Sequence, residues 1–525
     1  MEYNISSSIP SKLLYIKKYP EYLLLLLFSV IGIFSVSSYG FAWDEFEQRN
    51  IGVICYNYIF NNDLYYLQYP ARDHGAIFEL LLLIIEKITG ITSNRDIYMT
   101  RHIVSHLFFL LGAFYFYKLI FVIYQNKILA TLGFLMLVLH PTIYGHSFFN
   151  SKDVPFLSML IICFYQFVIA FKHKKYMSFI WLALFTSFLI NIRIMGILFM
   201  SFTLFFLALD LLIYIKEKKE LKKHLLFIVL YFIASIIFVV IAYPLLWHNP
   251  VQNITWVIKN LSQYPWALTN LFKGEFIPAT TIGWDYIPTW FCINTPIIYL
   301  ILGFAGIILF VFNALKTLKK FDLKNLDKTN LLFLLSFFAP VIVVIVLKSV
   351  LYDTWRHLFY IYPAFILLAI YFLNYCFSIK FNKIAIAITG LSLASVSYFI
   401  IANFPFHHVY FNQFVSLHGD DFIRKNYEMD YWGVSYNKAL ESVLEVDPSD
   451  TIRISSDNPI IIPNADMLLD EQKKRILFVD SVHKSDYLIV SYRWHPQDYT
   501  ADNLKEVKSI YVLGSKINTI LRVKR

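Results

Sequence analysis

The chain has 525 residues, of which 58% are hydrophobic and only 16% are charged. Soluble domains average about 45–50% apolar and about 25% charged residues, so the composition excludes an ordinary soluble protein and indicates an integral membrane protein. The formal net charge is +10. We interpret this charge as a signal of membrane topology and an attraction to the anionic headgroups of a lipid bilayer, and not as a nucleic-acid surface.

Eleven apolar stretches are long enough to cross a bilayer. About 18 or more largely apolar residues span the roughly 30 Å hydrocarbon core as a helix. The stretches predict a mainly α, polytopic membrane domain over residues 1–403. They lie near Tyr22–Phe41, His102–Tyr124, Ile128–Gly145, Val154–Phe171, Tyr176–Ile192, Met195–Ile215, Leu225–Trp247, Trp290–Leu315, Leu331–Leu347, Leu358–Phe377 and Ile384–Asn403.

Basic segments indicate how these spans are oriented. Short cytoplasmic loops hold the excess of Lys and Arg. A cleaved signal peptide at the first span, the alternative, would place the basic loops outside, against this rule. We therefore predict a cytoplasmic N-terminus and an extracytoplasmic C-terminus. The segments that fall on one side of an eleven-span chain are Lys12–Pro20, Lys172–Lys175, Lys216–His224, Leu315–Lys328 and Lys380–Lys383.

Two outer segments predict helices that lie along the membrane surface. Gly75–Gly90 is apolar over most of its length but carries three charges, so it is too short and too charged to cross comfortably. Asn249–Trp266 repeats the pattern, with two tryptophans as interfacial anchors. We expect the two helices to cover a cavity at the outer face of the membrane.

The composition changes after Asn403. Short β-branched runs bounded by Asp, Asn, Pro and Gly, namely TIRIS, RILFVDSV, DYLIVSY and SIYVLGSKINTILRVKR, predict strands, and the last run predicts a hairpin. Helical patterns intervene near Tyr436–Leu444 and Ala465–Arg475. We therefore predict a small soluble α/β domain outside the cytoplasm over residues 404–525.

The stretch WDEFEQR places Asp44 and Glu45 directly after the first span. Ionised carboxylates in a partly desolvated region are costly unless water, a cation or a basic group meets them. Simple solvation at the end of the span is the alternative interpretation. The candidate basic partners on the same face are Arg49, Arg101, Lys152, Arg193 and Arg356.

A second acid, Asp153, lies at the same face in FFNSKDVPF. Two acidic positions and several arginines suit a reaction in which a carboxylate takes a proton from a hydroxyl while cations stabilise a departing phosphate. Other interpretations remain open. Asp153 also suits the N-cap of the fourth span, Arg193 a partner of a carbonyl or headgroup, and Arg356 with His357 side chains that extend to the interface.

Several motifs resemble one enzyme family in their order and in their side of the membrane. They are the Asp-Glu opening with EQRNIG, SNRDIYMTRHIVSHLFFLLGAFYFYKLIF, HSFFNSKDVPF and DTWRHLFYIYPAFILLAIY. Over roughly residues 20–400 the chain resembles the GT-C membrane glycosyltransferases, in particular the bacterial protein O-mannosyltransferase and lipid A aminoarabinose transferase family. The Lys-rich donor segment of the aminoarabinose transferases is absent between Asp63 and Gly75, so their donor is not implied.

The resemblance implies a multi-pass protein of the bacterial inner membrane. Such a transferase takes a sugar from a polyprenyl-phosphate donor and passes it, with inversion, to a hydroxyl of a glycan, lipid or protein acceptor. The first-loop acid of the family corresponds to Asp44, with Glu45 beside it, and the junction acid to Asp153, which makes these the catalytic candidates. The candidate ligands of the donor phosphate are Arg101, Lys152, Arg193, Arg356 and His357.

Other functions and site chemistries remain open. A membrane transporter or lipid flippase is the alternative class, although the acids gather at one face and no internal repeat is visible. A structural protein whose tail is the working part is a third class. We predict no cofactor, and the alternative is a divalent metal held by His102, His106, His140 and His146. A disulfide between Cys55 and Cys292 is also compatible with the topology.

Overall fold

The computed structural model describes residues 19–217, 220–262, 266, 268–320 and 322–524. The basic residues predicted before the first span, and residues 218–219 of the third basic segment, lie outside these ranges. Up to residue 402 the described helices are α1 (Pro20–Ser35), α2 (Glu45–Asn61), α3 (Ile77–Thr89), α4 (Asn94–Tyr124), α5 (Lys127–Val138), α6 (Pro141–Phe149), α7 (Asp153–His173), α8 (Tyr176–Ile192), α9 (Ile197–Glu217), α10 (Leu221–Ala242), α11 (Pro250–Ser262), α12 (Tyr286–Asn294), α13 (Ile297–Lys319), α14 (Lys328–Val346), α15 (Ile361–Ser378) and α16 (Asn382–Ala402).

The prediction of a polytopic helical membrane protein is confirmed. Within the described ranges, nine helices are long and apolar enough to cross a membrane, and the bent pair α5 and α6 would make a tenth. The apolar helix α8 has 17 residues and occupies the remaining predicted position. Each of the predicted stretches is therefore helical, and the chain is a multi-pass membrane protein.

Proline interrupts two of the predicted spans. Helices α5 and α6 meet at an angle of 64°, because Pro141 begins α6 and has no N–H with which to continue the hydrogen bonds of α5. The His140 ring caps the new helix by accepting from the Ile143 backbone N–H at 3.4 Å. Pro296 separates α12 from α13 in the same way. The predicted span Trp290–Leu315 is thus two helices and not one.

The basic connections and the acids of the predicted site lie at opposite ends of the spanning helices. The connections from α7 to α8 and from α13 to α14 are basic, whereas Asp153 begins α7 at the other end. At the basic end, the buried Asp210 carboxylate accepts from Lys174 at 3.3 Å and pairs with Lys328. These ion pairs hold α9 against both basic connections.

The two predicted surface helices are present as α3 and α11. Helix α3 packs against α2 and α4, and its acids Glu79 and Glu86 are buried. After α11, the Trp266 ring stacks on the Tyr352 ring with the centroids 4.2 Å apart. The predicted tryptophan anchor therefore contacts the loop before α15.

The remaining elements are a hairpin before α12 and a sheet in the tail. Strands β1 (Thr269–Phe272) and β2 (Glu275–Pro278) form the antiparallel hairpin. The tail contains α17 (Gln413–Ser416), α18 (Phe422–Asn426), α19 (Ser435–Val446), β3 (Ile452–Ser456), α20 (Ile461–Ala465), α21 (Asp470–Lys473), β4 (Ile476–Phe478), β5 (Tyr487–Ser491), β6 (Leu504–Val512) and β7 (Ser515–Val523).

The tail sheet has the order β4-β3-β5-β7-β6. Strand β3 is parallel to β4 and β5, whereas β7 is antiparallel to β5 and β6. The predicted strands, the final hairpin and the helix near Tyr436–Leu444 are confirmed. Of the predicted helix Ala465–Arg475, only Ala465, which ends α20, and Asp470–Lys473 are helical. The Gln472 side chain accepts from the Leu469 N–H at 3.1 Å and caps the start of α21.

The tail packs directly on the membrane helices. The Asn464 amide accepts from the Phe41 N–H and donates to the Phe41 carbonyl, both at 3.0 Å. The Trp43 N–H donates to the Trp432 carbonyl at 3.2 Å. The domain boundary between residues 403 and 404 stays a prediction. These contacts join the two predicted domains next to Asp44.

Candidate active site

A polar cavity of about 180 Å³ lies at the end of the helices that is opposite the basic connections. Its walls come from the beginning of α2, the junction before α7, the connection from α8 to α9 and the loop before α15. The charged side chains along these walls include Asp44, Glu47, Lys152, Asp153, Arg193 and Arg356. All of these except Glu47 were predicted as site residues, and His357, also predicted, lines the same cavity. The structure therefore brings together six of the eight predicted site residues.

The neighbouring acids Asp44 and Glu45 have different environments. The Asp44 side chain is 41% exposed and accepts from Arg356 Nη2 at 3.2 Å. Glu45 is buried, where its Oε2 accepts from the Ala42 N–H at 2.8 Å and its Oε1 lies 2.8 Å from His102 Nε2. Only Asp44 is available to a substrate in the cavity, so the structure does not support a catalytic position for Glu45.

Arg356 connects the acids of the cavity. Its buried guanidinium reaches Asp153 Oδ2 with Nη1 at 3.3 Å and Asp353 Oδ2 with Nη2 at 3.0 Å, and it lies 4.8 Å from the centre of the Trp432 ring. Burial opposes its charge, but Asp44 and Asp353 outweigh this effect and hold the pKa of Arg356 above its ordinary value. Arg356 is therefore a fixed cation that orients Asp44.

Asp153 is buried at the beginning of α7 and belongs to the same network. Arg193 donates to its Oδ1, and the Asn150 side chain donates to its Oδ2 at 3.0 Å. Asn150 Oδ1 in turn accepts from the Asp153 N–H at 2.8 Å. Asn150 thus takes the capping role that the sequence suggested for Asp153, and the Asp153 carboxylate is left to hold two arginines.

Lys152 offers an unpaired ammonium group to the cavity. Among the described residues it forms no ion pair, although three acids line the same cavity. Burial, and then Arg193, lower the pKa of Lys152 to about 7, against an opposing effect of Asp44. Burial and the neighbouring cations also lower the pKa of His357 well below its ordinary value, so its imidazole is neutral at pH 7. The cavity therefore holds free hydrogen-bond donors.

Arg101 does not line this cavity, and its predicted role at a donor phosphate stays a prediction. It is buried between two acids of α3, with Nη1 3.0 Å from Glu86 Oε1 and Nη2 on Glu79. Glu86 also accepts from Arg49 at 3.0 Å, and Glu79 accepts from Ser151. The charge of Arg101 is thereby neutralised. The spacing of the two acids on one face of a helix was the signal that sequence reasoning missed.

The four histidines proposed for a metal have other partners. His102 contacts Glu45, and His106 Nδ1 lies 2.8 Å from Ser147 Oγ. His140 caps α6, and His146 Nε2 lies 3.2 Å from the Tyr431 hydroxyl. In the part of the chain that the structure describes, no three His, Cys, Asp or Glu side chains form a group that could hold a metal. Cys55 and Cys292 are both free thiols.

An apolar groove of about 290 Å³ adjoins the polar cavity and shares His74, Lys152 and Arg193 with it. The walls of the groove come from α9, α11 and α14 and include Ile194, Ile197, Leu198, Ile258, Val343 and Leu347. At its mouth, His74 Nδ1 lies 2.9 Å from Asp73 Oδ1. A ligand with one charged and one apolar end fits the combined shape.

The residues that sequence reasoning missed include Glu47 and His74 of the cavity lining. They also include Asp353, which holds Arg356 from outside the lining, and its partner Arg493. Asp353 stands in the quoted motif three residues before Arg356, so its position was visible although its role was not. Arg493 pairs with Asp353 from the tail. No sequence pattern connects two residues that are 140 positions apart.

Comparisons with known proteins agree on the fold. No protein-family model matches the chain, and no curated protein matches it in sequence. The crystal structure of ArnT from Cupriavidus metallidurans bound to undecaprenyl phosphate aligns with a TM-score of 0.50 at 11% identity, covering 96% of this chain and 98% of that chain. The apo oligosaccharyltransferase of Archaeoglobus fulgidus aligns with a TM-score of 0.46 at 11% identity, over 90% of this chain.

The chain spans 66% of the length of the Archaeoglobus protein. The alignment with ArnT extends over nearly the whole of both chains. The chain therefore has the fold of the GT-C membrane glycosyltransferases, as its motifs predicted.

Proposed function

We propose that the protein is a glycosyltransferase that moves a sugar from a polyprenyl-phosphate donor to an extracytoplasmic hydroxyl. One observation carries the proposal: an accessible carboxylate, Asp44, and an unpaired ammonium, Lys152, line one polar cavity beside an apolar groove. The undecaprenyl phosphate bound to ArnT, which shares the fold, supports this class of donor.

The donor fits the site in one orientation. Its isoprenoid chain lies in the apolar groove, where burial of methyl and methylene groups contributes about 25 cal/mol per Å². Its phosphate contacts Lys152 and Arg193, which line both the groove and the cavity. Hydrogen bonds between a charged donor and a phosphate are stronger than hydrogen bonds between neutral groups. The neutral His357 ring donates a further N–H to the phosphate or the sugar.

The transfer is an inverting displacement. Asp44 takes the proton of the acceptor hydroxyl, and the acceptor oxygen forms a bond to the anomeric carbon. The bond between that carbon and the phosphate oxygen breaks through an oxocarbenium-like transition state, and the phosphate leaves with the bonding electrons. Asp153 acts through Arg193 and Arg356, whose positions it holds. The proposed steps use side chains alone.

The reaction takes place on the extracytoplasmic side of a bacterial inner membrane. The basic connections lie at the opposite end of the helices from the cavity, and basic loops are retained in the cytoplasm. The tail then lies outside the cytoplasm above the cavity. The donor sugar is a hexose or a pentose, and the acceptor is a glycan, a lipid or a protein.

The test is a transfer assay with membranes that contain the full chain. Labelled polyprenyl-phosphate hexoses and pentoses are supplied together with cell-envelope acceptors. We expect the label of at least one donor to leave the lipid and to enter the acceptor fraction, and membranes without the protein serve as the control. Folded protein that neither transfers a label nor binds polyprenyl phosphate would overturn the proposal.

A further inference from the structure

Arg493 of the tail reaches the wall of the candidate active site. It follows β5, and its guanidinium is buried, with Nη1 donating to the Tyr431 carbonyl at 2.7 Å and Nη2 paired with Asp353. The opposite oxygen of the Asp353 carboxylate holds Arg356. Arg356 in turn holds Asp44 at 3.2 Å. Four charges of alternating sign therefore connect the tail to the proposed base.

The backbone at Asp353 supports a special role for this connection. Asp353 and Thr354 have φ values of 55° and 67°, in the left-handed region that residues with a side chain rarely adopt. The Asp353 N–H donates to Asn270 Oδ1 at 3.3 Å, and the Thr354 N–H donates to the Tyr286 hydroxyl at 3.2 Å. Such conformations persist only where the surroundings impose them, and they cluster at functional sites.

We propose that Arg493 is a positioning residue, which binds one oxygen of Asp353 and so sets how much of the Arg356 charge is available to Asp44. The inference rests on the proposed function, because it gives the tail a part in controlling the same base. Arg493 lines neither the cavity nor the groove and acts through Asp353 and Arg356.

The alternating charges predict that loss of the Arg493 charge and loss of the Asp353 charge shift the protonation of Asp44 in opposite directions. Without Arg493, the Asp353 carboxylate has only Arg356 as its cation, and its uncompensated negative charge makes Asp44 easier to protonate. Without the Asp353 charge, Arg356 and Arg493 act on Asp44 with one acid fewer, and Asp44 becomes harder to protonate. The other charged or titratable groups that line the cavity are not substituted, namely Glu47, His74, Lys152, Asp153, Arg193, Tyr352, His357 and Tyr360. The buried Glu428 also stays in place: burial raises the pKa of its carboxyl, Arg493 opposes this effect and Asp353 adds to it.

The experiment measures protonation of Asp44 directly, without a donor. A carbodiimide reacts with protonated carboxyl groups, so peptide mass spectrometry of the labelled full chain gives the pH midpoint of Asp44. We expect Arg493→Gln to raise this midpoint by about one pH unit and Asp353→Asn to lower it. The double variant should return it towards the wild-type value. Arg453→Gln, which breaks an ion pair with Asp486 inside the tail, is the matched control and should not move it.

The same variants are then followed in the transfer assay. We expect the acid limb of the pH profile of kcat to move with the pH midpoint of Asp44. The KM for the donor should stay within about twofold of the wild-type value. Arg493→Lys keeps the charge and should restore most of the wild-type profile. If Arg493→Gln does not fold, the double variant is compared with Asp353→Asn: a midpoint above that of Asp353→Asn supports the role of Arg493, and an equal midpoint overturns it.

A wild-type midpoint in folded Arg493→Gln would overturn the positioning role. The proposed function is tested separately, because measuring the midpoint needs no sugar transfer. The predicted shifts in the variants, together with no transfer by the wild-type protein, would support the role of Arg493 and contradict the proposed reaction.

Discussion

The reactivity of the site depends on the different positions of two adjacent carboxylates. Successive residues of a helix point about 100° apart, so the beginning of α2 directs Asp44 to the cavity and Glu45 to the helix bundle. Burial with two hydrogen-bond partners fixes Glu45. Asp44 remains accessible while Arg356 orients it, which is the combination that a general base requires.

Lys152 should make phosphate binding depend on pH. Its pKa of about 7 means that the ammonium form is lost as pH rises above 7, and with it the charge-assisted bonds to the ligand. The probe is a polyprenyl phosphate methyl ester, a diester whose charge is constant from pH 6 to 9. We expect its Kd to increase across this range for the wild type.

The Lys152→Met variant should bind this diester about tenfold more weakly at pH 6, and its Kd should not vary with pH. Lys273→Met is the control, because Lys273 is an exposed lysine paired with Asp285. A wild-type pH dependence that persists in Lys152→Met would remove Lys152 from the phosphate site.

At the scale of secondary structure, apolar length and proline explain most of what the sequence could predict. The spans follow from composition, because a helix must satisfy its own backbone in lipid. The break at Pro141 was visible as a proline inside an apolar stretch, yet the resulting angle depends on packing. The partners of Arg101 could not be predicted, because its ion pairs with Glu79 and Glu86 arise only when α3 and α4 meet.

The Arg101 network should stabilise the fold and should not bind the donor. Arg101→Met leaves Glu79 and Glu86 buried without their shared cation, and such a loss costs about 3–5 kcal/mol. We expect a marked fall in the thermal unfolding temperature in detergent. Arg49→Met is the control and should have a smaller effect, because Arg49 is partly exposed and pairs with Glu86 alone.

The diester probe separates the two roles of Arg101. Folded Arg101→Met protein, assayed below its unfolding temperature, should bind the probe with the wild-type Kd. A loss of affinity in folded protein, with little change in the unfolding temperature, would return Arg101 to the phosphate site.

At the scale of the whole molecule, the bundle has two chemically different ends. One end carries the cavity and the tail, and the other end carries the basic connections with the Asp210 cluster. The sequence indicated both ends through loop charge. It did not indicate that the tail reaches Asp353 behind the site, because contacts such as that of Arg493 with Asp353 have no local pattern.

A one-sided site predicts one-sided chemical access. In a background without the four native cysteines, Ser349→Cys reports on the cavity and the groove, and Lys380→Cys reports on the basic end. A membrane-impermeant maleimide should label Ser349→Cys in spheroplasts and Lys380→Cys in inverted vesicles. Labelling of Ser349→Cys from both sides would indicate alternating access and favour a transporter.

The most direct test of the proposed mechanism is kcat for sugar transfer by Asp44→Asn. Asparagine keeps the shape of the side chain but cannot accept the proton, so we predict a fall of at least about a hundredfold with unchanged Kd for the diester probe. Asp480→Asn, at an exposed acid of the tail, should keep the wild-type rate. Transfer by Asp44→Asn at the wild-type rate would contradict the assignment of Asp44 as the base.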